Sequence, residues 1–101
     1  MELTLDDNSS HRTVTVGEEM VIRLPETPTT GYLWRVDLVT DELQLIDDRY
    51  EAPTIPRGAP GVHVLTFRAV REGSATLKVV KGRGWEDHLA QVFRVDLDVR
   101  G

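Results

Sequence analysis

Apolar side chains recur at every second position along most of this chain. MVIRL (residues 20–24) sets Met20, Ile22 and Leu24 against Val21 and Arg23, and LWRVDL (33–38) sets Trp34, Val36 and Leu38 against Leu33, Arg35 and Asp37. HVLTFRA (63–69) aligns Leu65, Phe67 and Ala69, and ATLKV (75–79) aligns Ala75, Leu77 and Val79. FRVDLDV (93–99) aligns Phe93, Val95, Leu97 and Val99. Near the start LTL places Leu3 and Leu5 on one face, while TVTV (13–16) and ELQLID (42–47) repeat the pattern more weakly. Side chains alternate across a strand, so a period of two with one polar side predicts antiparallel strands, each with one face to water. No segment carries a helical repeat, and there is no internal sequence repeat. Seven or eight short strands in 101 residues predict an all-β, immunoglobulin-like antiparallel sandwich, one domain over residues 1–101. The Cys…Trp…Cys pattern of antibody domains is missing, since the chain has no cysteine.

The connections carry more information than the strands. If consecutive strands from Met20 onward run antiparallel, successive connections fall alternately at the two ends of the sandwich. Short links near Thr40 and Asp41 and at REGS (71–74) then share one end. PETPTTG (25–31), EAPTIPRGAPG (51–61) and GRGWEDH (82–88) share the other. All five prolines and five of the eight glycines lie in these three segments, so the conformationally special loops gather at one end. Long loops on a rigid scaffold are the usual seat of binding, which marks that end as the functional one.

Composition narrows the partners. The net charge is −5 and the lysines and arginines are scattered singly, leaving no basic stripe for nucleic acid and no polybasic patch for a membrane. No apolar run is long enough to span a bilayer, and ELTLDD after Met1 lacks the features of a signal peptide; a leader removed earlier stays open, so the compartment is undetermined. Without cysteine there is no thiolate nucleophile and no cysteine-based zinc site. His11, His63 and His88 lack metal-ligand spacing and read as surface or satisfied core residues. The acidic pairs at 6–7, 47–48 and 86–87 form no catalytic dyad, since adjacent carboxylates point to opposite faces on a strand and face water in a loop, and Ser9, Ser10 and Ser74 have no nucleophile elbow around them. The chain therefore reads as a monomeric binding protein, not an enzyme, with no cofactor or metal.

Two features of the loops have two readings each. Trp85, between Gly84 and Glu86, is either a lid folded back on the core end or an exposed aromatic anchor beside Arg83, the residue types that dominate interface hot spots. Thr29 and Thr30 either satisfy nearby backbone groups in a solvated turn or form the tip of a pre-shaped wedge. Pro28 before them fixes φ and Gly31 after them permits a positive φ, so the tip is held in one shape and loses less entropy on binding. Trp34, in a clean alternating run, belongs to the core.

TPTTGY, RGAPG and GRGW, in that order in the three loops, resemble the chagasin family of cysteine-peptidase inhibitors. That family's pattern is NPTTGY or NPTTGF followed by an apolar residue and Trp, then GxGG, then RPW before the last strand. The resemblance spans residues 17–99, and in the first motif Pro28, Thr29, Thr30, Gly31, Tyr32 and Trp34 all match. It implies an immunoglobulin-like fold and tight, reversible inhibition of papain-like cysteine peptidases by a three-loop wedge. By that resemblance Thr29 and Thr30 lie over the catalytic cysteine of the enzyme. Gly58, Ala59, Pro60 and Gly61 run along its non-primed side, and Arg83, Gly84 and Trp85 brace its primed side.

Three residues depart from the family pattern. Thr27 replaces Asn, keeping a hydroxyl able to cap a turn. Pro60 replaces Gly, which removes a backbone N–H donor and limits φ. Gly84 replaces Pro, which loosens the loop that holds Trp85. These departures keep an alternative in view, an immunoglobulin-like interaction module that binds a different protein. A carbohydrate-binding sandwich is disfavoured, because Trp34 in the core leaves too few exposed aromatic rings.

Overall fold

The computed structural model describes residues 1–54, 59–85 and 88–101. Gly58 of the second loop and the Glu86–Asp87 pair lie outside the described residues. Among the described residues eight strands follow one another: β1 (Glu2–Leu3), β2 (Ser10–Thr15), β3 (Glu19–Glu26), β4 (Leu33–Val39), β5 (Leu43–Glu51), β6 (Gly61–Ala69), β7 (Gly73–Gly82) and β8 (Leu89–Arg100). They form two four-stranded sheets, ordered β1-β3-β6-β5 and β2-β8-β7-β4, which is the strand arrangement of an immunoglobulin-like sandwich. The core lies where the alternation puts it. Met20, Ile22, Leu24, Leu65, Phe67, Leu77, Phe93 and Val95 are all fully buried between the sheets.

Four details differ from the sequence reading. First, β1 pairs with β3 and β2 with β8 in parallel, so the sandwich is antiparallel only from β3 onward. The N-terminal segment crosses between the sheets through a 3-10 turn at Leu5–Asp7 and Ser9, whose φ is 66°, and so lines an edge of each. Second, Leu5 leaves the strand at that crossing and packs only partly against the core, in place of continuing beside Leu3. Third, the register of β4 on β7 slips between Val36 and Leu38. This bulge turns Leu38 out, 45% exposed, and brings Val39 against the core instead. Fourth, the outer faces are not uniformly wet. Val64 is fully buried there, between its cross-strand neighbours Arg23 and Arg49. Arg23 pairs with Glu2 at 2.8 Å and Glu51 at 3.2 Å, and Arg49 with Glu51 at 2.8 Å, so the aliphatic stems are held across the valine.

The strand registers set the three long connections at one end. Glu26 lies opposite Gly61 and Glu51 opposite Val62 in one sheet, while Leu33 lies opposite Gly82 and Gly82 opposite Leu89 in the other. The two sheets are joined there by the Trp34 indole, whose Nε1–H donates to the Pro25 carbonyl at 2.9 Å.

Candidate functional site

The tip of the first loop is built by local hydrogen bonds. Residues Pro28–Thr30 form a single 3-10 turn, with proline at its start where a missing N–H costs nothing. The Thr30 N–H and hydroxyl both donate to the Thr27 carbonyl, at 3.0 and 2.8 Å, and the Gly31 N–H donates to the Pro28 carbonyl at 2.9 Å. The Tyr32 N–H then donates to the Thr30 hydroxyl at 3.2 Å. Gly31 ends the turn in the left-handed region, at φ 81°. The Thr27 hydroxyl, though able to cap the turn, makes no cap bond; its carbonyl serves the turn instead. Pro28, Thr29 and Thr30 are exposed.

The third loop leans on the first. Arg83 Nε donates to the Thr30 carbonyl at 3.0 Å. Its guanidinium carbon lies 4.1 Å from the centre of the Tyr32 ring and 5.7 Å from that of Trp85. Trp85 is 74% exposed, so of its two readings the structure has the outward one. It is nonetheless placed. A Cβ on Gly31 would stand 2.8 Å from Trp85 Cη2, so the ring rests where Gly31 leaves no side chain. Gly84 has open space around it and a φ outside the left-handed region.

The second loop ends beside the start of the first, where Gly61 pairs with Glu26. A Cβ on Gly61 would lie 2.2 Å from the Tyr50 hydroxyl and 2.5 Å from the Glu51 carbonyl oxygen, so only glycine fits under Tyr50. Ala59 is half-buried and Pro60 exposed beside it.

Beneath the loops lies a polar cluster that reasoning by sequence spacing passes over. Glu26 is 2% exposed, and its Oε2 accepts the Trp34 backbone N–H at 2.6 Å and lies 3.0 Å from His63 Nδ1. The other ring nitrogen of His63 bonds Asp48. Burial by itself pushes the His63 pKa down, but the hydrogen bonds to Glu26 and Asp48, with the attraction of both carboxylates, raise it above the ordinary histidine value. Asp48 is therefore engaged, not merely water-facing, and His63 is satisfied as expected. The signal for this cluster is parity. Glu26 continues the inward series Met20, Ile22, Leu24, and His63 begins the inward series Leu65, Phe67, Ala69.

The model of the chagasin family of peptidase inhibitors I42 matches residues 13–99. The chain belongs to that family. Among its relatives, Amoebiasin-1 of Entamoeba histolytica is 32% identical over 88 residues, with 84% of each chain covered. The crystal structure of EhICP2, a cysteine protease inhibitor of Entamoeba histolytica, matches with a TM-score of 0.89 at 22% identity, covering 98% of this chain and 94% of that one. The structure of PbICP-C in complex with falcipain-2 matches with a TM-score of 0.68 at 14% identity, covering 99% and 88%. The last two likenesses speak to the fold. The family is one of peptidase inhibitors, which is consistent with the reading of the chain as a binding protein.

Proposed function

We propose that this chagasin-family domain is a monomeric, reversible inhibitor of papain-like cysteine peptidases. In this reading Thr29 and Thr30 enter the active-site cleft, with Pro28, Gly31 and Tyr32 fixing the tip that carries them. Gly58, Ala59, Pro60 and Gly61 lie along the non-primed side, and Arg83, Gly84 and Trp85 along the primed side. The observation that carries the reading is the joint between two loops: Arg83 holds the Thr30 carbonyl at 3.0 Å while Trp85 sits over Gly31. A tip already turned and braced from the side is ordered before it meets a partner, and so loses little entropy in docking. The turn also keeps the Thr27 and Pro28 carbonyls bonded to its own N–H groups, so the tip offers no extended peptide for cleavage. PbICP-C, a domain of the same fold, is bound to the cysteine protease falcipain-2, which supports the class of partner. Peptidase–inhibitor contacts bury about 800 Å² per partner, an area three loops can supply.

The test is a titration of papain with the domain, followed with a small fluorogenic substrate and with a serine peptidase as control. Saturable inhibition of papain alone is expected, and Thr30→Arg should abolish it by steric block at the tip. Inhibition unchanged by Thr30→Arg sinks the wedge. No inhibition by a folded wild-type domain favours the interaction-module alternative, in which Pro60 and Gly84 have changed the partner.

A further inference from the structure

The neck of the first loop is closed by a buried carboxylate. Glu26 at the end of β3 accepts the Trp34 N–H on β4, eight residues on, and the Trp34 indole returns a bond to the Pro25 carbonyl. Residues 27–33 are thus enclosed by two hydrogen bonds that join the loop's ends across the gap between the sheets. Closing the neck limits the poses open to the tip, whatever the tip's own bonds. We propose that Glu26 is a positioning residue for peptidase binding, its carboxylate closing the neck of the loop, and that His63 with Asp48 makes this closure tighter in acid. The proposal rests on the inhibitor reading above and adds to it the device that orients the wedge.

The pH dependence follows from proton counting on the imidazole. Nδ1 of His63 faces Glu26 at 3.0 Å and Nε2 faces Asp48. A neutral ring has one N–H and an imidazolium has two, so both carboxylates are served only by the protonated ring. Loss of the proton leaves one carboxylate facing a lone pair, and Glu26, at 2% exposure, loses the positive charge beside it. Among the described residues, Tyr50 and Lys81 are further titratable groups near the cluster. Tyr50 is the cross-strand partner of His63, and its hydroxyl points over Gly61. From the facing sheet Lys81 places its ammonium 5.7 Å from the centre of the Trp34 ring. Among the described residues, neither bonds Glu26 or His63.

Two measurements test this, on the wild type and on Glu26→Ala, Glu26→Gln and His63→Gln. Amide hydrogen exchange at Trp34 and at residues 30–32 reports the neck without any peptidase. Inhibition of papain is then followed from about pH 5.5 to about pH 8.5, across the ordinary histidine range, each variant being compared with wild type at the same pH so that the enzyme's own titration cancels. Glu26→Ala should exchange at Trp34 about tenfold faster and inhibit about tenfold less well, the scale of one charge-assisted hydrogen bond. Glu26→Gln keeps an acceptor for the Trp34 N–H and should restore most of the inhibition at neutral pH. The advantage of wild type over His63→Gln should shrink towards parity as pH rises through the His63 titration. A folded Glu26→Ala with wild-type exchange and inhibition overturns the proposal, as does an advantage over His63→Gln that does not change with pH. If Glu26→Ala fails to fold, the His63→Gln comparison decides. If the wild type does not inhibit papain, the inhibitor reading fails by itself, and Trp34 exchange still decides whether Glu26 closes the neck.

Discussion

Gly31→Ala separates the two ways in which the first loop is held. Gly31 sits at φ 81°, and an added Cβ would stand 2.8 Å from Trp85 Cη2 and 3.6 Å from Arg83 Cγ. The left-handed backbone costs a residue with a Cβ about 1–2 kcal/mol. The steric part is smaller, because the Trp85 ring is 74% exposed and can swing into water. Its price is the ring's contact with Gly31 and its place near the Arg83 guanidinium, an exposed cation–π arrangement worth about 0.5–1 kcal/mol. Together these predict a loss of about 1.5–3 kcal/mol, of which only the second part depends on Trp85. A double-mutant cycle with Trp85→Ala should therefore show about 0.5–1 kcal/mol of coupling, while the strain persists in both backgrounds. Urea unfolding followed by far-ultraviolet circular dichroism is the assay, since fluorescence would change with the tryptophan itself. A Gly31→Ala protein within about 0.5 kcal/mol of wild type, the usual spread for innocuous surface changes, would refute the strained-turn argument. A cycle with no coupling would refute the contact with Trp85 and leave the strain argument standing.

Other substitutions probe the neighbouring loops. Gly61→Ala would push a Cβ against the Tyr50 hydroxyl and the Glu51 backbone carbonyl, and since the latter cannot step aside, urea unfolding should show a loss of about 1–3 kcal/mol. Gly84→Ala meets open space with φ outside the left-handed region, so the same measurement should show a gain of about 0.4–1 kcal/mol through reduced freedom of the unfolded chain. His63 has its pKa raised in the folded state, so its contribution to stability is full below the unfolded value of about 6.5 and is lost as pH rises through the folded value. Thermal melts across that window should show wild type losing stability relative to His63→Gln; a constant difference would contradict the ion-pair account.

What the sequence discloses here depends on whether the cause is local. The inward series on β3, β6, β7 and β8 are legible because each strand alternates on its own, and the end where the long loops gather is legible because proline and glycine restrict or free the backbone where they stand. The bulge after Val36 is not legible, because register depends on the partner strand β7 as well as on β4. The parallel edges escape for a similar reason: β1 has two residues, too few for a pattern, and its sheet is decided by a crossover. Val64 falls on a polar-facing position yet is buried, with an arginine beside it on each neighbouring strand, which its own strand's pattern does not disclose. The Glu26–His63 pair lay within reach of face parity, since both residues occupy inward positions, but its 37-residue separation defeats any search by motif spacing.

The departures from the family pattern can be weighed in the same terms. Proline between Arg83 and Trp85 would stiffen the third loop through its own backbone; Gly84 gives that up. In this chain the loop is instead tied to its neighbour, through Arg83 to the Thr30 carbonyl and through Trp85 to the bare face of Gly31. Stiffness in the third loop has thus become a property of two loops together, and it depends on the first motif keeping its glycine. Pro60 has no such replacement, since the N–H it removes cannot be supplied by a side chain in the same place. The first and third loops therefore form one braced unit above the Glu26 neck, and under the proposed inhibitor function Pro60 is the departure expected to change peptidase recognition most.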